Sequence, residues 1–324
     1  MLGAAVLLTG CAVAEAGAAR PDPAALGNVP VLAGQAFGDA STVDPCSVLD
    51  PDTLKAADAS ASIAAADSLD DCRVHLVQED GTKTTVTVGP LEGPRDLPDD
   101  GGLAYRTESV GGGIAVRIPT DGPPGTCAAY LTFRDGYRLP VGSHASNLDS
   151  ETDVCPSAKA VGEVAGAQIR AGGVRHFTYP RDSVGGIDPC RLVEAGNLTR
   201  AGLPGATPTE FPQRHECGWT NGRASVELAF QVGPEPVTKA VGRSTVATVA
   251  GRSTLVSQVR LGTERRCSAE TGLNPYTYGS VTDQGLVETA LVTVHRPDGA
   301  TFDPCAVARE LAVAAWPQLP AVTG

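Results

Sequence analysis

Aromatic side chains make up only 4% of the 324 residues, with two Trp, and there is a single Met. Any core must therefore be built from Val, Leu and Ala, and covalent staples matter more than they do in an aromatic-rich domain. Positive charge is also short, since 25 Lys and Arg face 37 Asp and Glu for a net charge of −12. That excludes a general nucleic-acid binder, because neutralising phosphates takes a basic surface. The nine cysteines include no Cys-x-x-Cys pair and no Cys/His cluster at zinc spacing, which removes the structural zinc classes. Gly-x-Ser-x-Gly, Ser-x-x-Lys with its companion motifs and His-Glu-x-x-His are missing too. With them go the sequence marks of several hydrolase classes, so the expectation is a protein that is not an enzyme and takes no cofactor and no metal.

What is there is turn chemistry and a repeated cysteine motif. Gly 38 and Pro 25 break the chain into short elements. Asp-x-Cys occurs four times, as Asp44-Pro45-Cys46, Asp153-Val154-Cys155, Asp188-Pro189-Cys190 and Asp303-Pro304-Cys305. Asp is a preferred N-cap, because its carboxylate accepts from free N–H groups of the first turn, and Pro fits the first helical position, where no N–H is needed. Each motif therefore predicts a helix start with Cys at the second helical position. Cys72, Cys127, Cys217 and Cys267 lie between the motifs in strand-like surroundings.

The elements repeat. Asp44 to about Ala57 reads as a helix, followed by alternating runs at Cys72 to Val77, Thr82 to Val88, Gly113 to Ile118, Cys127 to Phe133 and Tyr137 to Val141. Cys155 to about Arg170 closes this unit as a helix. From Asp188 the plan returns: a helix to about Arg200, strands between Cys217 and His295, and a closing helix from Asp303 to Trp316. The expected fold is α+β, with two tandem domains, each an antiparallel sheet flanked by an N-terminal and a C-terminal helix and stapled by disulfides. The boundaries are 44–171 for the first domain, 172–187 for a linker and 188–320 for the second. Four cysteines allow three connectivities per unit, and the simplest choice joins each helix start to a strand: Cys46 with Cys72, Cys127 with Cys155, Cys190 with Cys217, and Cys267 with Cys305. Pairings that close longer loops remain open on sequence alone.

Cys11 stands outside that scheme. Residues 1–11 end in Leu8-Thr9-Gly10-Cys11, an apolar run too short to span a bilayer that resembles a bacterial lipobox, in which the signal peptide is cut before a lipid-bearing cysteine. Residues 12–43, rich in Ala, Gly and Pro, read as a flexible tether with a span of about 30 Å.

Candidate chemistry is dispersed. His75, His144, His176, His215 and His295 are scattered among strands and loops, with His75 and His295 in alternating runs as plain sheet residues. Asp96, Asp99 and Asp100 read as a solvated loop, Asp70-Asp71 as a turn, and Gly111-Gly112-Gly113 precedes a strand rather than the helix a phosphate loop needs. Charge is uneven, with 20 acidic and 10 basic residues between 44 and 171 against 13 and 12 between 188 and 324. One basic stretch breaks the acidic trend. Lys239, Arg243, Arg252, Arg260, Arg265 and Arg266 face a single acidic residue, Glu264, and form a candidate anion-binding face.

The second unit, with Asp188-Pro189-Cys190-x-Leu192-Val193, Cys217-Gly218-Trp219, Cys267 and an Ala-rich last helix led by Cys305, resembles a family of actinobacterial secreted lipoproteins of unknown function. The first unit departs from it at Arg73-Val74 and Val154. The resemblance implies a lipid-anchored protein on the extracytoplasmic face of the cell membrane and assigns no catalytic residue. The expected function is a non-catalytic module that binds a ligand or partner, an envelope protein or an anionic envelope polymer, with no nucleic acid. An envelope hydrolase with a dispersed active site and a structural accessory subunit are the alternatives. Cys11→Ser, expressed in a lipoprotein-processing host, is expected to move the protein from the membrane to the soluble fraction; unchanged partitioning contradicts the anchor.

Overall fold

The structure is a computed structural model that describes residues 31–65, 68–78, 81–94, 104–147, 151–222, 224–239, 243–262, 264–279, 285–297 and 299–322. Cys11, residues 12–30 of the tether and the loop with Asp96, Asp99 and Asp100 lie outside the described residues, whereas residues 31–43, expected as the end of the flexible tether, are instead folded onto the first unit, because Ala33 and Phe37 are buried in its core. The chain runs α1 (Ala33–Ala36), α2 (Pro51–Ala57), β1 (Ser62–Ala65), β2 (Cys72–Val77), β3 (Lys83–Val88), β4 (Tyr105–Gly111), β5 (Ile114–Pro119), β6 (Thr126–Thr132), β7 (Arg138–Ala145) and α3 (Cys155–Arg170). The second half repeats the order with α4 (Ala195–Arg200), β8 (Thr207–Glu210), β9 (Glu216–Thr220), β10 (Ser225–Pro234), β11 (Ser244–Val249), β12 (Arg252–Leu261), β13 (Glu264–Pro275), β14 (Leu286–Pro297) and α5 (Pro304–Ala315). The two seven-stranded sheets have strand orders β1-β2-β3-β7-β6-β5-β4 and β11-β12-β13-β14-β10-β9-β8. Read from the other end, the second is the first with every strand advanced by seven, so the duplication extends to topology. All strand pairs are antiparallel.

Alternation decides which face each sheet buries. Cys72, Val74 and Leu76 of β2 point inward while Arg73, His75 and Val77 do not, and on β13 Cys267, Ala269, Thr271 and Leu273 are buried. The closing helices cover these faces. α3 rests on β5, β6 and β7 through Val161, Val164, Ala165 and Ile169, and α5 on β13 and β14 through Val307, Ala308, Leu311 and Ala315. Each unit has its own cluster of buried apolar residues, but Leu69, from the first unit, belongs to the second unit's cluster.

The N-terminal helices differ from expectation. Instead of one helix from Asp44 to Ala57, a 3-10 turn at Pro45–Val48 is followed by α2, because Pro51 keeps Asp50 extended and starts a new helix there. The run from Asp188 to Arg200 divides likewise into a 3-10 turn, Pro189–Arg191, and α4. These short helices lean on α3 and α5. Three strands that alternation did not reveal, β1, β4 and β8, are sheet edges or next to turns, where few side chains need burial and the period is weak. Gly242-Arg243-Ser244-Thr245 recurs in the sequence as Gly251-Arg252-Ser253-Thr254, and β11 and β12, which carry the two copies, form a hairpin.

In all four Asp-x-Cys motifs the carboxylate accepts from the cysteine N–H, at 3.1, 3.0, 2.9 and 3.0 Å for Asp44, Asp153, Asp188 and Asp303. The sulfurs pair as Cys46–Cys72, Cys127–Cys155, Cys190–Cys217 and Cys267–Cys305, with Cα separations of 5.0 to 5.2 Å. Every bridge thus holds a helical start on a strand of its own unit. Non-reducing peptide mapping is expected to recover these four links, and removing one pair, such as Cys190 and Cys217, to lower stability by about 3 kcal/mol. A peptide joining the two units would refute this framework.

Candidate functional site

Titratable groups with displaced pKa gather where the two units meet. Asp70 and His215 stand at equivalent places, each two residues before the strand cysteine of its unit, Cys72 or Cys217. The turns that hold them abut, and Asp70 Oδ1 lies 2.5 Å from His215 Nδ1, with side chains 8% and 1% exposed. His215 Nε2 lies 3.0 Å from the Gly185 carbonyl and 3.2 Å from the Tyr179 hydroxyl. Tyr179 donates to the Ser41 carbonyl at 2.9 Å, so its oxygen accepts from the ring. Two acceptors on one ring nitrogen and a carboxylate on the other call for a proton on each. Burial alone would lower the His215 pKa, but the Asp70 carboxylate and the Gly185 carbonyl raise it above the ordinary value.

A second carboxylate lies nearby. Glu288 accepts from Ser183 Oγ at 2.5 Å, from Val184 N at 3.1 Å and from the Tyr278 hydroxyl, and burial raises its pKa despite those bonds. Burial raises the phenols of Tyr179, Tyr276 and Tyr278, with the charges of Asp70 on the first, Asp44 on the second and Glu288 on the third adding to the effect. Glu216, beside His215 in sequence, is pushed up to about 8 by burial and by the charges of Glu227 and Asp70. Three of the six tyrosines stack here with Phe177 and His215, at centroid separations of 4.7 to 5.8 Å. Part of the scarce aromatic mass thus lies between the units, while Trp219, Phe230 and Trp316 are buried in the second unit's own core.

The segment expected as a linker is bonded to both sides. Asp44 N donates to Arg175 O at 2.9 Å, Phe177 N to Thr42 O at 2.5 Å and Arg175 N to Ser47 Oγ at 2.8 Å. Toward the second unit, Ser183 and Val184 hold Glu288, and Asn274 Nδ2 donates to Asp182 O at 2.8 Å. Gly185 is required by contact, because a Cβ there would fall 2.1 Å from the Tyr179 ring.

Above this seam opens a groove of about 950 Å³. Asp39, Pro94 and Tyr137 line it from the first unit and Glu210, Phe211 and Arg214 from the second. It meets a further concavity of about 510 Å³ that shares Pro208, Glu210 and Arg214. A smaller space of about 20 Å³ borders Asp70 and Gln213. The groove is open and lined by both charges and rings, whereas the histidine and its partners are sealed. The hydroxyls of Ser183 and Tyr278 both already donate to Glu288. Among the described residues, no three His, Cys, Asp or Glu side chains gather in a way that could hold a metal ion.

The remaining expected site residues are spread out. His75 lies 3.2 Å from Thr85 Oγ1, His176 2.8 Å from Thr42 Oγ1, and His295 2.5 Å from Glu264. His144 is exposed on β7. Asp70 lies in a bend, as expected, and is also half of an ion pair, because the other unit supplies a buried imidazole that its own neighbours lack. The basic stretch does not form one face. Arg252 donates to the carbonyls of Trp316, Leu319 and Pro320 at 3.0, 2.9 and 2.7 Å and secures the C-terminal turn. Arg266 alternates to the sheet face opposite Arg265, Arg243 precedes β11 in a turn, and the side chain of Lys239 lies outside the described residues. No protein family matches the chain, nor does a curated protein or a solved structure.

The sign of the pH dependence follows from these shifts. His215, Glu288 and Glu216 all bind protons more tightly folded than unfolded, so their contribution is full below the unfolded values and is lost as pH rises through the folded ones. Thermal unfolding is expected to show a higher Tm near pH 5 than near pH 8, with Glu216→Gln removing much of the difference. A Tm that climbs with pH over that range contradicts the protonated junction.

Proposed function

We propose that the chain is a lipid-anchored protein on the extracytoplasmic face of the cell membrane that holds a ligand or partner in the groove between its units without performing chemistry on it. The observation that carries this reading is the division of labour at the seam. The groups able to exchange protons are buried and occupied with one another, while the open groove above them offers Asp39, Glu210 and Arg214 beside Tyr137 and Phe211. Such a mixture suits an elongated polar ligand with some apolar surface, held by hydrogen bonds, charge and ring contact.

The address rests on the lipobox at Leu8-Thr9-Gly10-Cys11, on the likeness to actinobacterial lipoproteins and on four disulfides, which form and persist outside a reducing cytosol. Among the described residues no helix is long and apolar enough to cross a membrane. A lipid on Cys11 then supplies attachment, with two acyl signals or more needed for a stable hold.

A photo-crosslinking residue placed at position 211, within the groove, is expected to capture envelope material in cells, and Arg214→Glu to reduce the yield about tenfold. The same probe at Val313, which is 51% exposed on α5, serves as the control. Equal capture from both positions rejects the groove as the binding site.

A further inference from the structure

The duplication provides an internal control for one feature of the second sheet. Cys127 pairs with Ser143 across β6 and β7, and Cys267 pairs with Val294 across β13 and β14, so these positions correspond. Two residues away, on the same face, the first unit has Gly125 and Ala145, whereas the second has Arg265 and Arg296. Arg265 is also directly opposite Arg260 on β12. Three adjacent strands therefore carry Arg260, Arg265 and Arg296 in one row, with neighbouring Cβ atoms about 5 Å apart.

Like charges directly opposite one another destabilise a sheet. The first unit reaches the same strand order with a glycine and an alanine in this place, so the fold does not require the arginines. The row lies on the face covered by α5, near that helix's N-terminal end. Arg296 Nη1 donates to Phe302 O at 2.8 Å, immediately before the capping Asp303, and the Cys267–Cys305 bridge fixes the helix start two residues from Arg265. The capping carboxylate of Asp303 offsets the positive end of the helix dipole there, so the arginines themselves supply the positive potential. Arg260 and Arg265 are exposed, and Arg260 Nε donates to Gly262 O at 3.2 Å. Among the described residues, Arg296 Nε is buried without a hydrogen-bond partner.

We propose that Arg260, Arg265 and Arg296 form a binding site for a phosphate group. Guanidinium forks donate in pairs to the oxygens of a tetrahedral anion, and three side by side match a phosphate better than a lone carboxylate, which offers two oxygens. In a protein of net charge −12, such a row also attracts an anion where most of the surface repels it. The phosphate can be carried by a lipid headgroup or be free in solution.

The test uses the full chain as Cys11→Ser, so that no acyl chain contributes, with inorganic phosphate as one probe and vesicles containing phosphatidylglycerol as the other. Binding to at least one probe is expected, falling as salt rises. Arg265→Glu, at an exposed position, is expected to weaken it about tenfold, while Arg266→Glu, on the opposite face, changes it by less than about twofold. Circular dichroism and intact disulfides verify that both variants fold. Vesicle binding that excess phosphate does not displace assigns the site to a headgroup, and saturable phosphate binding without vesicle affinity assigns it to a soluble phosphate. No binding of either probe at low salt, or equal losses in the two variants, overturns the proposal.

Discussion

A charged imidazole facing a carboxylate away from water survives only if almost every polar atom around it is satisfied. Removing two ions from water costs several kcal/mol each, and their attraction offsets that only with good geometry and additional hydrogen bonds. Asp70 and His215 meet the condition because the connecting segment supplies what the two units alone lack: the Gly185 carbonyl and the Tyr179 hydroxyl, both on His215 Nε2. The path of residues 172–187 is thereby constrained. It is fixed a second time where Ser183 and Val184 donate to Glu288. The groove inherits its shape from the same contacts, since Arg214 precedes His215 and Asp39 lies close to Ser41, whose carbonyl takes the Tyr179 proton.

The two units show what the fold needs and what it leaves free. Both keep the four cysteines, the aspartates that accept from the cysteine N–H groups, and the strand order. They diverge at equivalent positions whose side chains the fold does not demand. Asp70 in one corresponds to His215 in the other, and that difference in charge lets a duplicated turn become a complementary pair. Gly125 and Ala145 correspond to Arg265 and Arg296, so an otherwise neutral strand end becomes basic in one unit alone. Divergence between copies, rather than their shared framework, marks the places where chemistry has been added.

Local signals made much of the framework legible. Asp-x-Cys gave the helical starts and the pairing of each with a strand, and turn residues with alternation located most central strands. What local signals missed has physical reasons. Pro51 is compatible with a helix start, so its role in ending the preceding turn was hidden by a motif that already explained the region. The edge strand β8 buries little and shows little period. The junction was harder, because nothing within one unit distinguishes Asp70 from a turn residue or His215 from a loop residue. The available clue was their common distance from Cys72 and Cys217, which becomes informative once the copies are aligned. The arginine row was half visible: composition identified a basic stretch, but only register showed that Arg252 and Arg266 leave it and Arg296 joins it.

The most direct measurement of the account is a double-mutant cycle on the junction pair, with Asp70→Asn, His215→Gln and the double variant unfolded in urea near pH 6. If this contact holds the units together, each single change strands a buried partner and costs about 3 kcal/mol, and the double variant loses less than the sum by at least about 1.5 kcal/mol. Losses that add within about 0.5 kcal/mol would show that the two side chains do not depend on each other, and would contradict the account.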